Sequence, residues 1–202
     1  MEPETYYHIY NHANGDENLF RSSENYYFFL KQWAKYIEPV ADAYCYCLMP
    51  NHFHFLVRTK GEAVVSENLG YSRDLPFGKF QTFQKVVSKQ FSNLFSSYTQ
   101  AFNKMYDRRG SLFMPNFKKK EITSDAYLTA VITYIHRNPI HHGFVNSIDD
   151  WSFSSYHAFL SANKTKLKRE AVLEWYGNQH GFKSAHKSEN TSLPDKSLLI
   201  DF

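Results

Sequence analysis

The first fifty residues contain two segments that are typical of β-strands, with one amphipathic segment typical of a helix between them. Residues 5–11 are β-branched and aromatic, which predicts a strand. Apolar positions at helical spacing follow Ser22 or Ser23 and end before Pro39, which predicts a helix. Residues 40–49 are apolar on both alternating faces, so we expect a central strand that is covered on both sides.

A tight turn at Pro50 and Asn51 separates that strand from the next one. Residues 52–59 alternate strictly between two faces, with Phe53, Phe55 and Val57 on one face and His52, His54 and Leu56 on the other. Two strands that are joined so closely form a hairpin.

The second half of the chain is mainly helical in pattern. Residues 61–78 predict a loop, and apolar side chains at every third or fourth position of 80–105 predict a long helix that ends at residues 108–110. Residues 117–122 predict a fourth strand. Ser124 then begins a helix that we expect Pro139 to end.

Beyond that helix the pattern becomes weaker. Residues 151–160 and 169–176 predict short helical pieces, and the polar stretch 183–195 predicts a tail or an arm onto a partner. A chain of 202 residues can bury one substantial core. We therefore expect a main domain over residues 1–160, and an extension over 161–202 that is not an independent domain.

The order strand, helix, strand, strand, helix, strand, helix is the split βαβ plan of the ferredoxin-like folds. The predicted fold is therefore α+β, with an antiparallel sheet, helices packed on one face of it, and extra C-terminal helices.

Composition narrows the class of protein. The N-terminus lacks a basic region followed by an apolar one, and no segment holds enough apolar residues to cross a bilayer. We therefore expect a soluble, cytoplasmic protein without membrane partners. Cys45 and Cys47 lie two apart on a predicted strand, and we expect both to be small core residues rather than metal ligands.

The positive charge is concentrated in one region. The net charge is only +3, but residues 73–120 hold ten basic side chains against two acids, Asp74 and Asp107. Aromatic residues make up 18% of the chain, and aromatic rings beside cations suit single-stranded nucleic acid, whose bases can stack on them. From composition alone, an aromatic core with an ordinary solvated basic face explains the same numbers.

Two small groups of residues could carry chemistry. His52 and His54 project from one face of a strand, so both imidazoles could reach one divalent ion, or each could bond a carbonyl at the core edge. Tyr134 and Asn138 share a helix face by their spacing, although Pro139 biases Asn138 away from helical geometry. A single tyrosine among 15 more often packs than reacts.

Taken together, these motifs resemble the single-tyrosine HUH transposases, and most closely the REP-associated tyrosine transposases. The resemblance rests on residues 48–57, which contain the two histidines, and on 134–139 with 142–145. Residues 98–103, 110–113 and 151–156 agree in the same order, so that the resemblance runs from about residue 6 to about residue 156.

The resemblance implies a catalytic domain that binds hairpin-forming single-stranded DNA and cleaves one phosphodiester without ATP. It implies that Tyr134 is the nucleophile and forms a 5′-phosphotyrosine, and that His52 and His54 bind Mg²⁺ or Mn²⁺ with Asn138 as third ligand. Relatives can use glutamine at that third position, so His136, His141 and His142 stay open as rivals. When bound to DNA, such a protein would be associated with the nucleoid.

Phosphate contacts are expected from the basic residues of the middle region, namely Lys79, Lys85, Lys89, Lys104, Arg108, Arg109, Lys118, Lys119 and Lys120. Two other functions stay open: a domesticated hairpin-binding regulator that does not cut, and a phosphodiesterase that uses water and does not need Tyr134. The target DNA, the native metal, and the choice between a monomer and a dimer that exchanges helices also stay open.

Overall fold

The protein is described here from a computed structural model, which covers residues 1–71 and 82–187. Its sheet consists of strands β1 (Tyr6–His12), β2 (Ala41–Met49), β3 (His52–Thr59) and β4 (Lys118–Glu121). The strand order is β2-β3-β1-β4, and every neighbouring pair is antiparallel. Because β3 lies between the parallel strands β1 and β2, this is the split βαβ arrangement. The predicted α+β class and the ferredoxin-like sheet are confirmed.

The predicted helices are present in the predicted order, and two further helices lie at residues 62–68 and 179–187. The helices are α1 (Ser23–Tyr36), α2 (Glu62–Asn68), α3 (Phe83–Met105), α4 (Asp125–His141), α5 (Tyr156–Leu160), α6 (Arg169–Trp175) and α7 (Gln179–Lys187), with a short 3-10 helix at Ile148–Asp150. None of the described helices is long and apolar enough to cross a membrane.

The strict alternation of β3 divides the apolar core into two clusters. Phe53, Phe55 and Val57 are buried in the first cluster, against α1 and α3. The Trp33 ring of α1 stacks on Phe55, with ring centroids 3.5 Å apart and planes inclined by 7°.

Helices also cover the opposite face, which corrects the prediction that they pack on one face. Leu56, Cys45 and Cys47 point to that side and are buried with the apolar stripe of α4 and with parts of α5, α6 and α7. The physical reason is that β2 is apolar on both sides, so each side must be shielded from water. Both cysteines are buried and unpaired, as expected of core residues.

Three local predictions are also corrected. Residues 62–68 form α2 where a loop is predicted, because Val65 is buried in the first cluster. The helix α4 does not end at Pro139 but continues to His141, since the loss of one backbone N–H leaves the last turn intact. Residues 183–187 belong to α7, and the remainder of the predicted tail lies outside the described residues.

Candidate active site

The helix α4 crosses the sheet face on which His52 and His54 lie. The Tyr134 ring contacts the His54 ring edge to face, with centroids 5.8 Å apart. Asn138 Oδ1 lies 3.1 Å from His52 Nε2, although the two residues are 86 positions apart in the chain. Because α4 continues past Pro139, Tyr134 and Asn138 are one helical turn apart and share a face, as their spacing predicts.

The hairpin turn holds His52 in one orientation. Asn51 Oδ1 lies 2.7 Å from His52 Nδ1, and the Asn51 carbonyl accepts a hydrogen bond of 2.7 Å from the Ala13 backbone. With the Asn51 oxygen as acceptor, the hydrogen of the His52 ring is on Nδ1. The other ring nitrogen, Nε2, therefore presents its lone pair to Asn138.

That lone pair faces a second acceptor, the side-chain oxygen of Asn138. The Asn138 amide nitrogen is buried and has no hydrogen-bond partner. Two acceptors 3.1 Å apart have the separation of adjacent ligands of an octahedral ion with bonds of about 2.1 Å, and the same amide turned over would instead donate from its nitrogen to His52 Nε2. His52 and Asn138 therefore have the spacing of two ligands of one divalent ion.

His54 contributes a further unsatisfied nitrogen. Its Nδ1 lies 2.9 Å from His8 Nε2, whereas its Nε2 is buried without a hydrogen-bond partner. Within residues 1–71 and 82–187, no three His, Cys, Asp or Glu side chains are grouped to hold a metal ion. An ion at this place would therefore need the Asn138 amide besides the two histidines, a nitrogen and oxygen donor set that several divalent ions accept.

Burial keeps both histidines neutral. It lowers the pKa of His52 to about 3, although the nearby Asn138 oxygen favours the protonated ring. Burial also holds the pKa of His54 well below its usual value, and the neighbouring His8 and His52 add to this effect. A neutral imidazole is the form that binds a metal ion.

The histidines proposed as rivals of Asn138 lie in different surroundings. His136 is buried away from His52: its Nδ1 lies 2.9 Å from His186 Nε2, and its Nε2 lies 2.7 Å from Ser155 Oγ. His141 and His142 are exposed, and the His142 ring lies 4.7 Å from the His52 ring. Both ring nitrogens of His136 are used elsewhere, so this rival is not at the site.

Two of the predicted phosphate contacts lie on the face of the site. Lys118 is directly opposite Tyr10, and Lys120 is directly opposite His8, so their side chains share the face of His54. Lys119 is opposite Ile9 and points to the other face. With neighbouring strands about 4.8 Å apart, the Lys118 backbone lies about 10 Å from that of His54.

The structure does not bring the other predicted phosphate contacts to this face. Lys85, Lys89 and Lys104 are exposed on α3, which packs against the opposite side of the sheet. The Arg108 guanidinium bonds Asn103 Oδ1 and the Ser111 carbonyl, and it also contacts Glu17. Arg109 is exposed, and Lys79 lies outside the described residues.

Sequence reasoning missed three residues of this site, one in the hairpin turn and two on β1. Asn51 orients His52, His8 bonds His54, and the Tyr10 ring stacks beside His54 with centroids 5.7 Å apart. A signal was present in β1, where tyrosine and histidine occupy every second position from Tyr6 to His12 and so share one face of the sheet.

Comparisons with known proteins agree with the motifs. No family model matches the chain. A protein of Haemophilus influenzae, named provisionally as a REP-associated tyrosine transposase, is 25% identical over 118 residues, which cover 57% of this chain and 59% of that relative. The chain therefore spans less than two thirds of the relative's length.

The fold has a solved counterpart. A REP-associated tyrosine transposase bound to a REP hairpin matches with a TM-score of 0.54 and 16% sequence identity, covering 80% of this chain and 82% of that one. At this identity the match concerns the fold alone. In sequence and in fold, the chain is similar to REP-associated tyrosine transposases, and the resemblance that its motifs predicted is confirmed.

Proposed function

We propose that this protein is a metal-dependent endonuclease and strand transferase that acts on hairpin-forming single-stranded DNA through a 5′-phosphotyrosine at Tyr134. The observation that carries the proposal is the meeting of Tyr134 and Asn138 of α4 with His52 and His54 of β3 on one sheet face. The DNA class is taken from the similar protein that was solved with a REP hairpin.

The reaction keeps the energy of the cleaved bond. The Tyr134 hydroxyl loses its proton and attacks phosphorus, the new bond from Tyr134 oxygen to phosphorus forms, and the bond from phosphorus to the 3′ oxygen breaks. The 3′ oxygen takes up a proton and leaves as a hydroxyl. A 3′-hydroxyl of another strand can then attack the phosphotyrosine and restore the tyrosine, so no ATP is needed.

The residues around Tyr134 prepare the site for this reaction. His52, His54 and Asn138 would hold Mg²⁺ or Mn²⁺, which supplies positive charge to the scissile phosphate and to the attacking oxygen. Asn51 and His8 hold the two imidazoles in place. Tyr134 is 5% exposed, and its ring is held against those of His54 and His8, so its position is defined before DNA binds.

The basic side chains nearest the site would contact the phosphates of the DNA backbone. Lys118 and Lys120 extend from the edge strand β4 on the same face as Tyr10 and His54. This edge would bring phosphates toward the site, whereas the lysines of α3 would contact DNA only where it reaches the other side of the sheet.

The experiment that tests this function is a denaturing gel of the protein incubated with labelled hairpin oligonucleotides that it binds, with Mg²⁺ or Mn²⁺. We expect a protein-linked DNA band that disappears with a chelator and in Tyr134→Phe. Tyr127→Phe, on the same helix, is the matched control and should retain the band. Binding without any band would favour the regulatory function, and cleavage that persists in Tyr134→Phe would favour water as nucleophile.

A further inference from the structure

His8 is a buried residue that the proposed reaction does not use directly. It lies on β1 opposite Leu56, one diagonal step from His54, and is fully buried. Its Nε2 is 2.9 Å from His54 Nδ1, and its own Nδ1 is buried without a hydrogen-bond partner. This contact joins the middle of β1 to the candidate metal site.

The contact between the two rings has only two arrangements when both rings are neutral. One hydrogen lies between the two nitrogens, and it belongs either to His54 Nδ1 or to His8 Nε2. In the first arrangement His54 Nε2 carries a lone pair. In the second arrangement His54 Nε2 carries a hydrogen and cannot bind an ion.

We propose that His8 is a positioning residue, which accepts the hydrogen of His54 Nδ1 and so leaves His54 Nε2 as the ion-binding nitrogen. The inference rests on the proposed function, because it assumes that His54 binds the ion. A similar arrangement holds His52, whose Nδ1 hydrogen is accepted by Asn51 Oδ1. The two proposed ligands thus have separate acceptors: His52 has Asn51 in the hairpin turn, and His54 has His8 on β1.

The test is the affinity for Mn²⁺ alone, measured by calorimetry without DNA. Loss of the acceptor in His8→Phe should weaken Mn²⁺ binding by about 10- to 100-fold, the usual effect of removing a residue that orients a ligand. His8→Gln should restore most of the affinity, since its side-chain oxygen can accept the same hydrogen. A wild-type affinity in His8→Phe would overturn the proposal.

His186→Phe is the matched control, because it removes one partner of the other buried histidine pair. It should lower the melting temperature and leave the Mn²⁺ affinity unchanged. An equal loss of affinity in His186→Phe and His8→Phe would mean that both changes merely loosen the fold, which would also overturn the proposal.

A second measurement needs neither a variant nor an ion. Nitrogen-15 NMR of the metal-free protein reports which ring nitrogen carries the hydrogen, and we expect Nδ1 in both His54 and His8. A hydrogen on His8 Nε2 would overturn the proposal. A wild-type protein that bound no Mn²⁺ would overturn the ion site and the role of His8 together, whereas Mn²⁺ binding with a hydrogen on His8 Nε2 would overturn the role of His8 alone.

Discussion

Two pairs of buried histidines lie on the same side of the sheet. They differ in whether the outer ring nitrogens, those that do not face the partner ring, are hydrogen-bonded. His8 and His54 join β1 to β3, and His136 and His186 join α4 to α7. In each pair, Nδ1 of one ring lies 2.9 Å from Nε2 of the other. The two contacts have the same length.

In the pair of α4 and α7, which we call the closed pair, both outer ring nitrogens are hydrogen-bonded. His186 Nδ1 donates to the Phe182 carbonyl at 2.7 Å, so its Nε2 accepts from His136 Nδ1. His136 Nε2 in turn accepts from the Ser155 hydroxyl at 2.7 Å. Every ring nitrogen has a partner, and such a satisfied network fixes one helix against another.

In the pair of β1 and β3, which we call the open pair, the outer nitrogens His8 Nδ1 and His54 Nε2 are buried without hydrogen-bond partners. Leaving a buried polar group unsatisfied costs about 1–3 kcal/mol. Folding alone gives no reason to keep this arrangement. The two pairs therefore differ in their unsatisfied nitrogens rather than in the burial of their histidines, and the proposed ion would satisfy His54 Nε2.

The largest expected effect is on DNA cleavage and comes from removing His54, one member of the open pair. His54→Ala should abolish the covalent adduct with hairpin DNA and hardly change hairpin affinity, since phosphate contacts supply most of that affinity. A denaturing gel measures the adduct, and fluorescence anisotropy measures the affinity. An equal loss of both would count against His54 as a metal ligand.

The next effect concerns the closed pair. His136→Leu leaves His186 Nε2 unpaired, whereas the Ser155 hydroxyl can still donate to the Tyr46 carbonyl, so the free energy of unfolding should fall by about 1–3 kcal/mol. His54→Leu should lower it by less, because one His54 nitrogen has no partner to lose. Urea unfolding measures both variants, and the reverse order would contradict the comparison.

A third prediction concerns acid. Burial lowers the pKa of His186 to about 4, while the unfolded chain binds the proton near pH 6.5. The stability tied to His186 is therefore complete above pH 6.5 and is lost as the pH falls toward 4, at up to about 1.4 kcal/mol per pH unit.

His186→Leu isolates this contribution. The free energy of unfolding, followed by urea titration from pH 7 to pH 4.5, should fall less steeply in this variant than in the wild type. Parallel curves for the two proteins would show that His186 does not titrate as its burial requires.

The smallest effect concerns the cations. Lys118→Ala, on the face of the open pair, should weaken hairpin binding and reduce the slope of log affinity against log salt by about 0.7–1. Lys104→Ala, on the exposed side of α3, is the matched control and should change both less. Anisotropy titrations at several salt concentrations measure the two slopes, and equal changes would remove the distinction between the faces.

The local pattern of the chain predicted most of the elements. The strict alternation of residues 52–59 marked β3 with the bounds that the structure has, and it placed His52 and His54 on one face. The apolar spacing predicted the long helix α3, although we expected its end at residues 108–110 and the structure ends it at Met105. These features depend on backbone geometry that repeats every two or 3.6 residues, so they can be recognised without the tertiary structure.

The sequence could not predict the second helical layer or the end of α4. The apolar residues of β2 indicated that both sheet faces are covered. They did not indicate that α4 covers the second face, because that depends on contacts between residues distant in the chain. Pro139 was expected to end α4, although the helix continues for two more residues to His141.

By itself, the sequence determined the order of the strands and helices, the face shared by His52 and His54, and the spacing of Tyr134 and Asn138. Only the tertiary structure decided that His136 is satisfied by Ser155 and His186, and that His8 meets His54. The physical reason is that the state of a buried histidine depends on the groups at both ring nitrogens, and folding brings those groups from distant parts of the chain.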